Sequence, residues 1–493
     1  MTIKINLFFD MLFKQPTGKV PRWMLGILIA AIFIGGFVLW GVYFNWGNFP
    51  SNYHDWATIT FPRLTFLQKA IQTGVLPLHI ADTLPLADST NRFLAMPDQI
   101  LSPQIFLLKW LSVSQFVMVD VWLLYFVSFW GLLWLRKKFN LSIIAFFLLF
   151  LLFNFNGQNL AQLTAGHLWW GAYFLFPWFI GLIFELLQKG GGWNWVTKVA
   201  GLLFIVFLNG GYHFFIWALF FIGFLAVAVQ RHFWPLLKTA VFVVLLSAVR
   251  ILPLFLPLGE FHNKYIAGYP FVQTIWTSLV TPQIPNDLTY ATGFHEVIGT
   301  WEFSLYVGLF AAVFLLYFGL FRVLKTSEKQ NLYIPILVPV MALGMLSLGK
   351  VYQYLRVVLP IPLITGERVS SRIISLAFIF LLTLAIIEFQ RLLDNLPEGT
   401  TVKILSLGLI VYITNDLWQN FQIWKIAKAS KLFPIINLDM NRFYPIAQPD
   451  LKYALLLGVG LAITLISVAV LFVLRQREDK KELLQNNNPG PVQ

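Results

Sequence analysis

The chain has 493 residues, of which 58% are hydrophobic and 12% charged, and its mean hydropathy is +0.72. That is about half the charge of a typical soluble domain, and no globular core can hide so many apolar side chains, so the composition indicates a membrane protein. The net charge of +13 is explained by basic loops on the inner membrane face and gives no reason to expect a nucleic-acid partner. The lack of cysteine excludes disulfides and thiolate metal sites.

Long apolar runs without alternation predict helices, because strands of a membrane barrel alternate between apolar and polar residues. The pattern predicts an all-α integral membrane fold with about twelve transmembrane helices. We place them approximately at 24–46, 114–135, 140–155, 168–187, 195–209, 211–230, 234–257, 303–322, 332–348, 371–391, 402–419 and 453–474.

The loop charges predict an orientation with both termini in the cytoplasm. In that arrangement the inner face carries 20 of the 35 basic residues and a net charge of +11, against +2 outside. The expected location is the plasma (inner) membrane, crossed many times. Four long stretches then lie outside, at 47–113, 258–302, 349–370 and 420–452, with room for short helices and a surface site.

The same pattern divides the chain into four parts. Residues 1–23 form a cytoplasmic N-terminal segment, and 24–400 form the transmembrane module that carries the expected chemistry. Residues 401–475 hold the C-terminal transmembrane helices with their outer loop, and 476–493 form a polar cytoplasmic tail predicted to be disordered.

Asp55 is the first candidate for chemistry, because it follows the first span closely and should lie near the membrane–water boundary. A carboxylate there can take a proton from a hydroxyl group or bind a divalent cation; a solvated loop aspartate is the alternative. His54 beside it can share the proton or be polar surface. Tryptophans at helix ends, including Trp169 and Trp170, are predicted to form an interfacial belt.

Arg368 and Arg372 are spaced i, i+4 at the expected outer mouth of a helix, so both can face one way. Two guanidinium groups at headgroup level suit a lipid phosphate, which each can bind with two hydrogen bonds. The alternative is that both side chains reach the headgroups without a substrate.

Several weak motifs occur in the order found in one superfamily. They combine acidic, basic and histidine residues with glycine or proline at expected outer helix ends: Asp55, Pro62-Arg63, Gly74-Val75-Leu76-Pro77-Leu78, Gly166-His167, Gly210-Gly211-Tyr212-His213, Trp301-Glu302 and Arg368 through Arg372. Over roughly residues 25–395 the chain resembles the GT-C superfamily of membrane glycosyltransferases, and most nearly its bacterial YfhO-type proteins.

The resemblance implies a GT-C-like fold and an enzyme that moves a sugar from a polyprenyl-phosphate donor to a glycan, lipid or protein acceptor. Such an enzyme would contact membrane lipids and act in cell-envelope glycan biosynthesis. It implies Asp55 as catalytic base with His54 beside it. The substrate-binding residues are then expected to be Arg63, His167, His213, Glu302, Arg368 and Arg372.

The chain departs from the family pattern where a second acid would stand. His54-Asp55 replaces paired acids, and the short loop predicted at 156–167 contains none. No metal site is therefore predicted, although Mg²⁺ or Mn²⁺ at Asp55 is left open. Two other functions also remain open: a transporter or lipid flippase, which needs polar groups deep inside several helices, and a catalytically inactive scaffold.

Overall fold

The computed structural model describes residues 12–13, 22–76, 79–80, 94–256, 266–285, 288–290, 297–325, 332–360, 362–395, 400–437, 439, 445–446 and 451–487. In its first half the α-helices are α1 (Arg22–Tyr43), α2 (Phe61–Thr73), α3 (Val113–Lys138), α4 (Ile143–Phe155), α5 (Gly157–Ala165), α6 (Phe176–Lys189), α7 (Trp193–Leu208), α8 (Tyr212–Ala228), α9 (Phe233–Leu246) and α10 (Ala248–Leu254).

The second half continues with α11 (Val272–Val280), α12 (Leu309–Leu316), α13 (Val323–Lys325), α14 (Leu337–Leu346), α15 (Gly349–Val358), α16 (Pro362–Thr365), α17 (Ile374–Asp394), α18 (Thr400–Trp424), α19 (Ile426–Ala429) and α20 (Leu451–Asn487). Short 3-10 segments precede several of them, at Pro103–Lys109, Leu168–Leu175, Gln230–His232, Thr300–Glu302, Ile334–Ile336 and Ser370–Ile373. A π-helical turn at Trp56–Thr60 leads into α2, and another at Tyr317–Arg322 joins α12 to α13.

Polar caps mark where the apolar helices begin. Ser112 and Gln115 form a reciprocal capping box at the start of α3, and Ser142 accepts a hydrogen bond from the backbone N–H of Ala145 at the start of α4. Asn156 ends α4 and caps α5 through the N–H of Asn159. The stretch predicted as a loop at 156–167 is therefore mostly helix, because one asparagine both stops one helix and starts the next.

Helices lie in all twelve intervals predicted to span a membrane, but twelve full spans are not confirmed. Within the described residues, six helices are long and apolar enough to cross, or seven if the pair Gln230–Leu246 and Ala248–Leu254, bent by 66°, counts as one span. α7 has 16 residues and α8 has 17. At 1.5 Å per residue these reach about 24–26 Å, short of the roughly 30 Å hydrocarbon layer. Such a set of apolar helices is that of a membrane protein.

The spans differ strongly in how much of each lies inside the protein. The segments Ile143–Ala165 and Ser370–Asp394 are each 94% buried, whereas Trp23–Tyr43 is 17% and Leu451–Lys481 is 22% buried. The inner helices α4, α5 and α17 therefore form the centre of the bundle. The outer helices α1 and α20 expose apolar faces that suit lipid.

Two differences from the predicted fold are small. Short strands form two antiparallel pairs, β1 (His79–Ile80) with β4 (Pro445–Ile446) and β2 (Leu288–Tyr290) with β3 (Val297–Gly299), so the fold is helical with two minor β-ribbons. Disorder is predicted from residue 476, whereas α20 continues as a helix to Asn487. This continuation carries mixed charge, which a solvated helix tolerates.

Candidate active site

The segment after α1 is fastened to the end of α5. The last carbonyl groups of a helix have no partner within it and need donors from elsewhere. Four side chains supply them: Tyr53 Oη and Trp56 Nε1 donate to Thr164 O at 2.9 and 3.1 Å, His54 Nδ1 donates to Ala165 O at 2.9 Å, and Thr60 Oγ1 donates to Gly166 O. Asp55 lies between these anchors, so its position is determined by the end of α5.

Gly166 allows the two segments to touch. Its φ is +102°, and a Cβ atom there would lie 2.4 Å from the backbone nitrogen of Trp56. Glycine alone accommodates both the backbone angle and the contact. His54 also has a positive φ, +43°, which is uncommon for a residue with a side chain and is found at functional sites.

Asp55 and His167 form a hydrogen-bonded pair, called here the Asp55 dyad. His167 Nε2 lies 2.8 Å from Asp55 Oδ2, and Thr58 Oγ1 lies 3.4 Å from Asp55 Oδ1. The Asp55 side chain is 24% exposed and that of His167 is 8% exposed. The pair therefore presents its carboxylate outward and keeps its imidazole inside.

Behind the dyad, a chain of hydrogen bonds leads to a buried ion pair. His167 Nδ1 lies 2.5 Å from Gln162 Oε1, and Gln162 Nε2 donates to Glu302 Oε2 at 3.1 Å. Glu302 in turn accepts two hydrogen bonds from the Arg372 guanidinium. Two hydrogen bonds between buried charges are the geometry in which such a pair is best compensated.

A second pair, the Glu367 dyad, also lies near the Trp169 indole. His213 Nδ1 is 2.7 Å from Glu367 Oε2, which also accepts from Trp217 Nε1 at 3.1 Å. The Trp169 ring lies 5.8 Å from the ring of His167 and 4.7 Å from that of His213. The guanidinium carbon of Arg372 stacks over the same indole at 5.3 Å.

Arg63 and Asp98 form an ion pair near the Glu367 dyad. A Cβ atom at Gly210 would meet both the Asp98 carbonyl oxygen and the Trp169 side chain, which places Asp98 beside the start of α8. The loop that carries Asp98 is held by the buried Arg250, whose guanidinium donates to the carbonyls of Leu94, Met96 and Gln99 at 2.6, 2.7 and 3.2 Å.

The buried charges set the protonation of the carboxylates. Burial raises the pKa of Asp55, but the charges of His54, His167 and Arg372 and the hydrogen bond from His167 outweigh it and hold the pKa well below the ordinary value. For Glu302, burial also raises the pKa, but the Arg372 guanidinium outweighs this effect and lowers the pKa to about 2. The pKa values of Asp98 and Glu367 are also lowered despite burial, by Arg63 for Asp98 and by His213 for Glu367. These groups are carboxylates at neutral pH.

Seven of the eight residues predicted for the site lie in or beside this cluster. Arg372 belongs to the cluster as the buried partner of Glu302, and His54 Nδ1 lies 3.7 Å from Asp55 Oδ1. Arg368 is exposed, and its backbone oxygen accepts from the N–H of Ala267 at 2.7 Å. The expected joint phosphate clamp of Arg368 and Arg372 is wrong. Helical spacing does not apply, because Val369 has φ −121° and ψ 75° and the helical turn begins only at Ser370.

Four residues of the cluster were not assigned to the site from the sequence. Gln162, Asp98 and Glu367 supply hydrogen bonds and charge, and Trp169 is buried between the dyads, not placed in an interfacial belt. One signal pointed to Gln162. The stretch from Asn154 to Thr164 is rich in amides although the chain around it is apolar, and polar side chains inside a bundle need partners.

A divalent cation fits these residues poorly. Among the described residues, no group of three or more His, Asp or Glu side chains is arranged to hold a metal ion. Hard divalent cations prefer several oxygen ligands, and the neighbours of Asp55 are the imidazoles of His54 and His167. The chemistry considered below therefore uses the side chains of the chain itself.

No family model matches the chain, and no curated protein sequence matches it significantly. Among solved structures, the chain is similar to the arabinofuranosyltransferase AftD from Mycobacteria, with 14% sequence identity and a TM-score of 0.46. The match covers 84% of this chain and 27% of the AftD chain, so this chain spans about a quarter of that protein. At this TM-score the likeness is too distant to assign a function.

Proposed function

We propose that the chain is a membrane-embedded glycosyltransferase of the GT-C type, which moves a sugar from a polyprenyl-phosphate donor to an acceptor hydroxyl group at the extracytoplasmic face. Asp55 acts as the general base. The observation that carries this proposal is a partly exposed carboxylate that is fixed at a helix end and whose pKa is held below its ordinary value by the basic side chains around it. A base must be both held and reachable by a hydroxyl group, and Asp55 satisfies both conditions.

In the proposed reaction the acceptor oxygen forms a bond to the anomeric carbon while the bond from that carbon to the phosphate oxygen breaks. The hydroxyl proton goes to Asp55, and the electron pair of the broken bond leaves with the lipid phosphate. Attack from the face opposite to the leaving phosphate inverts the anomeric carbon. Because the donor already lies in the membrane, the enzyme needs no soluble nucleotide-sugar domain.

Arg63 and His213 are the residues we assign to the donor phosphate. Both side chains are 18% exposed, so they can reach a ligand, whereas the Arg372 guanidinium is occupied by Glu302. His213 is anchored through Nδ1 by a fully buried carboxylate, which leaves Nε2 to face the phosphate. Arg63 supplies a guanidinium group that suits the planar edge of a phosphate. Arg368, being exposed, is assigned no more than a contact with lipid headgroups.

The test uses the full chain in detergent, with undecaprenyl phosphate as the binding probe and a panel of radiolabelled polyprenyl-phosphate sugars for transfer. Asp55→Asn should lower transfer by roughly 100-fold or more, the usual effect of removing a general base, and should still bind undecaprenyl phosphate. Arg63→Gln and His213→Gln should weaken that binding. Asp394→Asn, in the last turn of α17 and bonded to Gln390, is the matched control and should behave as wild type.

Two results would contradict the proposal. Normal transfer by Asp55→Asn would remove Asp55 as the base. Failure of the wild type to bind any lipid phosphate would leave a transporter of another substrate or an inactive scaffold as the better description.

A further inference from the structure

The His167 ring is flanked by oxygen atoms at both nitrogens. Nε2 faces Asp55 Oδ2 at 2.8 Å, and Nδ1 faces Gln162 Oε1 at 2.5 Å. A neutral imidazole has one N–H donor and one lone pair. Whichever nitrogen carries the proton, a neutral His167 therefore points its lone pair at an oxygen atom that cannot donate.

Rotation of the Gln162 amide does not relieve this conflict. Gln162 Nε2 donates to two acceptors, Trp301 O at 3.0 Å and Glu302 Oε2 at 3.1 Å. Exchanging the amide nitrogen and oxygen would place Oε1 against those two oxygens. The amide orientation is thus determined by its own partners, and Oε1 stays opposite His167.

The imidazolium form has no such conflict, because both of its N–H groups then have acceptors. The surroundings of His167 therefore suit a ring that has just gained a proton. Asp55 is the opposite case, since the hydrogen bond from His167 and the nearby basic side chains hold its pKa below the ordinary value, so it gives up a proton readily. Of the two partners, His167 is the better final holder of a proton that arrives at the dyad.

We propose that His167 is a positioning residue that receives, through Asp55, the proton of the acceptor hydroxyl group, and that Gln162 orients its ring for this role. The inference rests on the proposed function. Before the step, neutral His167 carries its one ring proton on Nδ1, facing Gln162 Oε1, and has its lone pair on Nε2, facing Asp55 Oδ2. As the acceptor oxygen bonds to the anomeric carbon, its proton passes to Asp55 and from there to the lone pair of His167 Nε2. Asp55 ends as a carboxylate, His167 as an imidazolium, and the phosphate leaves with its electron pair.

The charges that face the dyad come from several elements. His54 lies on the Asp55 side, and Arg372 and Glu302 lie behind Gln162. Burial and the Arg372 charge lower the pKa of His167 below its ordinary value of 6.5, against the opposing effect of Asp55. Transfer needs a neutral His167 to receive the proton. The rate should therefore be full near neutral pH and fall as the pH drops below 6.5 through the pKa of His167.

Three full-length variants test the relay. His167→Gln keeps a donor for Asp55 but cannot accept a proton, so transfer should fall by roughly 100-fold and lose its acid limb, with undecaprenyl phosphate binding unchanged. Gln162→Met keeps a similar length but removes the oxygen opposite Nδ1. A neutral ring with its proton on Nε2 is then free of conflict, but it has no lone pair to take a proton from Asp55. Transfer should therefore fall, and the acid limb should move to lower pH because the imidazolium has lost an acceptor. His232→Gln, in the 3-10 turn before α9, is the control.

A second measurement needs neither substrate nor turnover. With ¹⁵N-labelled histidine, the His167 resonances, assigned by their loss in His167→Gln, should show the neutral ring turning into an imidazolium as the pH falls below 6.5. Asp55→Asn should shift that titration to lower pH because the anion that stabilises the imidazolium is gone.

A His167 that stays neutral down to pH 4, or a His167→Gln enzyme with normal rate and acid limb, would overturn the relay. Since the titration is read without substrate, its failure is distinguishable from failure of the transferase assignment.

Discussion

The two histidine–carboxylate dyads near Trp169 differ in which partner is exposed. In the Asp55 dyad the carboxylate is 24% exposed and the imidazole 8% exposed. In the Glu367 dyad the carboxylate is fully buried and the imidazole 18% exposed. The histidine–carboxylate contacts are nearly equal in length, 2.8 and 2.7 Å. Hence the same two functional groups expose a carboxylate in the Asp55 dyad and an imidazole in the Glu367 dyad.

This difference suits the two ends of a group transfer between a hydroxyl group and a phosphate ester. A hydroxyl group needs an acceptor for its proton, which an exposed carboxylate backed by a histidine can be. A departing phosphate needs donors, which an exposed imidazole backed by a carboxylate can be, with Arg63 close by. We infer that the acceptor approaches the Asp55 dyad and the donor phosphate the Glu367 dyad.

Arg372 lies close to both dyads, and its removal should have the largest effect. Arg372→Met should leave the buried Glu302 carboxylate without its cationic partner, which costs about 3–5 kcal/mol. It should also withdraw a positive charge felt by Asp55 and Glu367. Unfolding of the purified protein, followed by temperature in detergent, should show a large drop in midpoint.

The double variant Arg372→Met/Glu302→Gln is the control for that result. It removes both charges, so it should recover a large part of the lost stability. Equal destabilisation of the single and double variants would mean that the ion pair is not what holds this part of the cluster together.

Gly166 offers a way to disturb one dyad and spare the other. In Gly166→Ala the methyl group would press on the Trp56 backbone and move Asp55 away from His167, with backbone strain on the order of 1–3 kcal/mol. Transfer should fall while binding of undecaprenyl phosphate at the Glu367 dyad is retained. Gly74→Ala is matched, because Gly74 also ends a helix in the left-handed conformation, with φ +68° and ψ 18°, but nothing lies within 4 Å of the added atom. Similar loss of transfer in both variants would attribute the effect to strain alone.

The sequence predicted well those features that depend on residue type and position along the chain. Apolar runs located the helices, and motifs at helix ends singled out residues such as Asp55, His167 and Arg372, which the fold brings together. Asp55 and His167 are 112 residues apart. Their pairing follows from the docking of residues 53–60 on the end of α5, which no local pattern encodes.

The errors from the sequence have physical causes of the same kind. The twelve predicted spans are not confirmed as twelve crossings, because hydropathy does not report helix length or a bend such as the 66° break before α10. Arg368 and Arg372 were predicted to face one way on the assumption of a helix, whereas the backbone at Val369 is not helical. Glu367 was not assigned to the site, since nothing in the sequence shows that His213 and Trp217 would converge on it. Side-chain partners depend on tertiary packing, and a single sequence carries little of that information.

The smallest expected effect is the difference between the Asp55 and Glu367 carboxylates in how they change the stability of the fold as the pH falls. Burial raises both pKa values, but the neighbouring cations lower them further, so each ionised form stabilises the fold. That stability is fully present above the unfolded pKa, 3.8 for Asp55 and 4.5 for Glu367, and is lost as the pH falls through the folded value.

The difference in unfolding midpoint between wild type and Glu367→Gln should be constant from pH 7.5 to 5.5 and shrink below 4.5. The difference for Asp55→Asn should be smaller, because Asp55 is partly solvated, and should persist to about pH 4 before it shrinks. If the Asp55 difference were the larger, the buried and exposed ends of the two dyads would have been assigned the wrong way round.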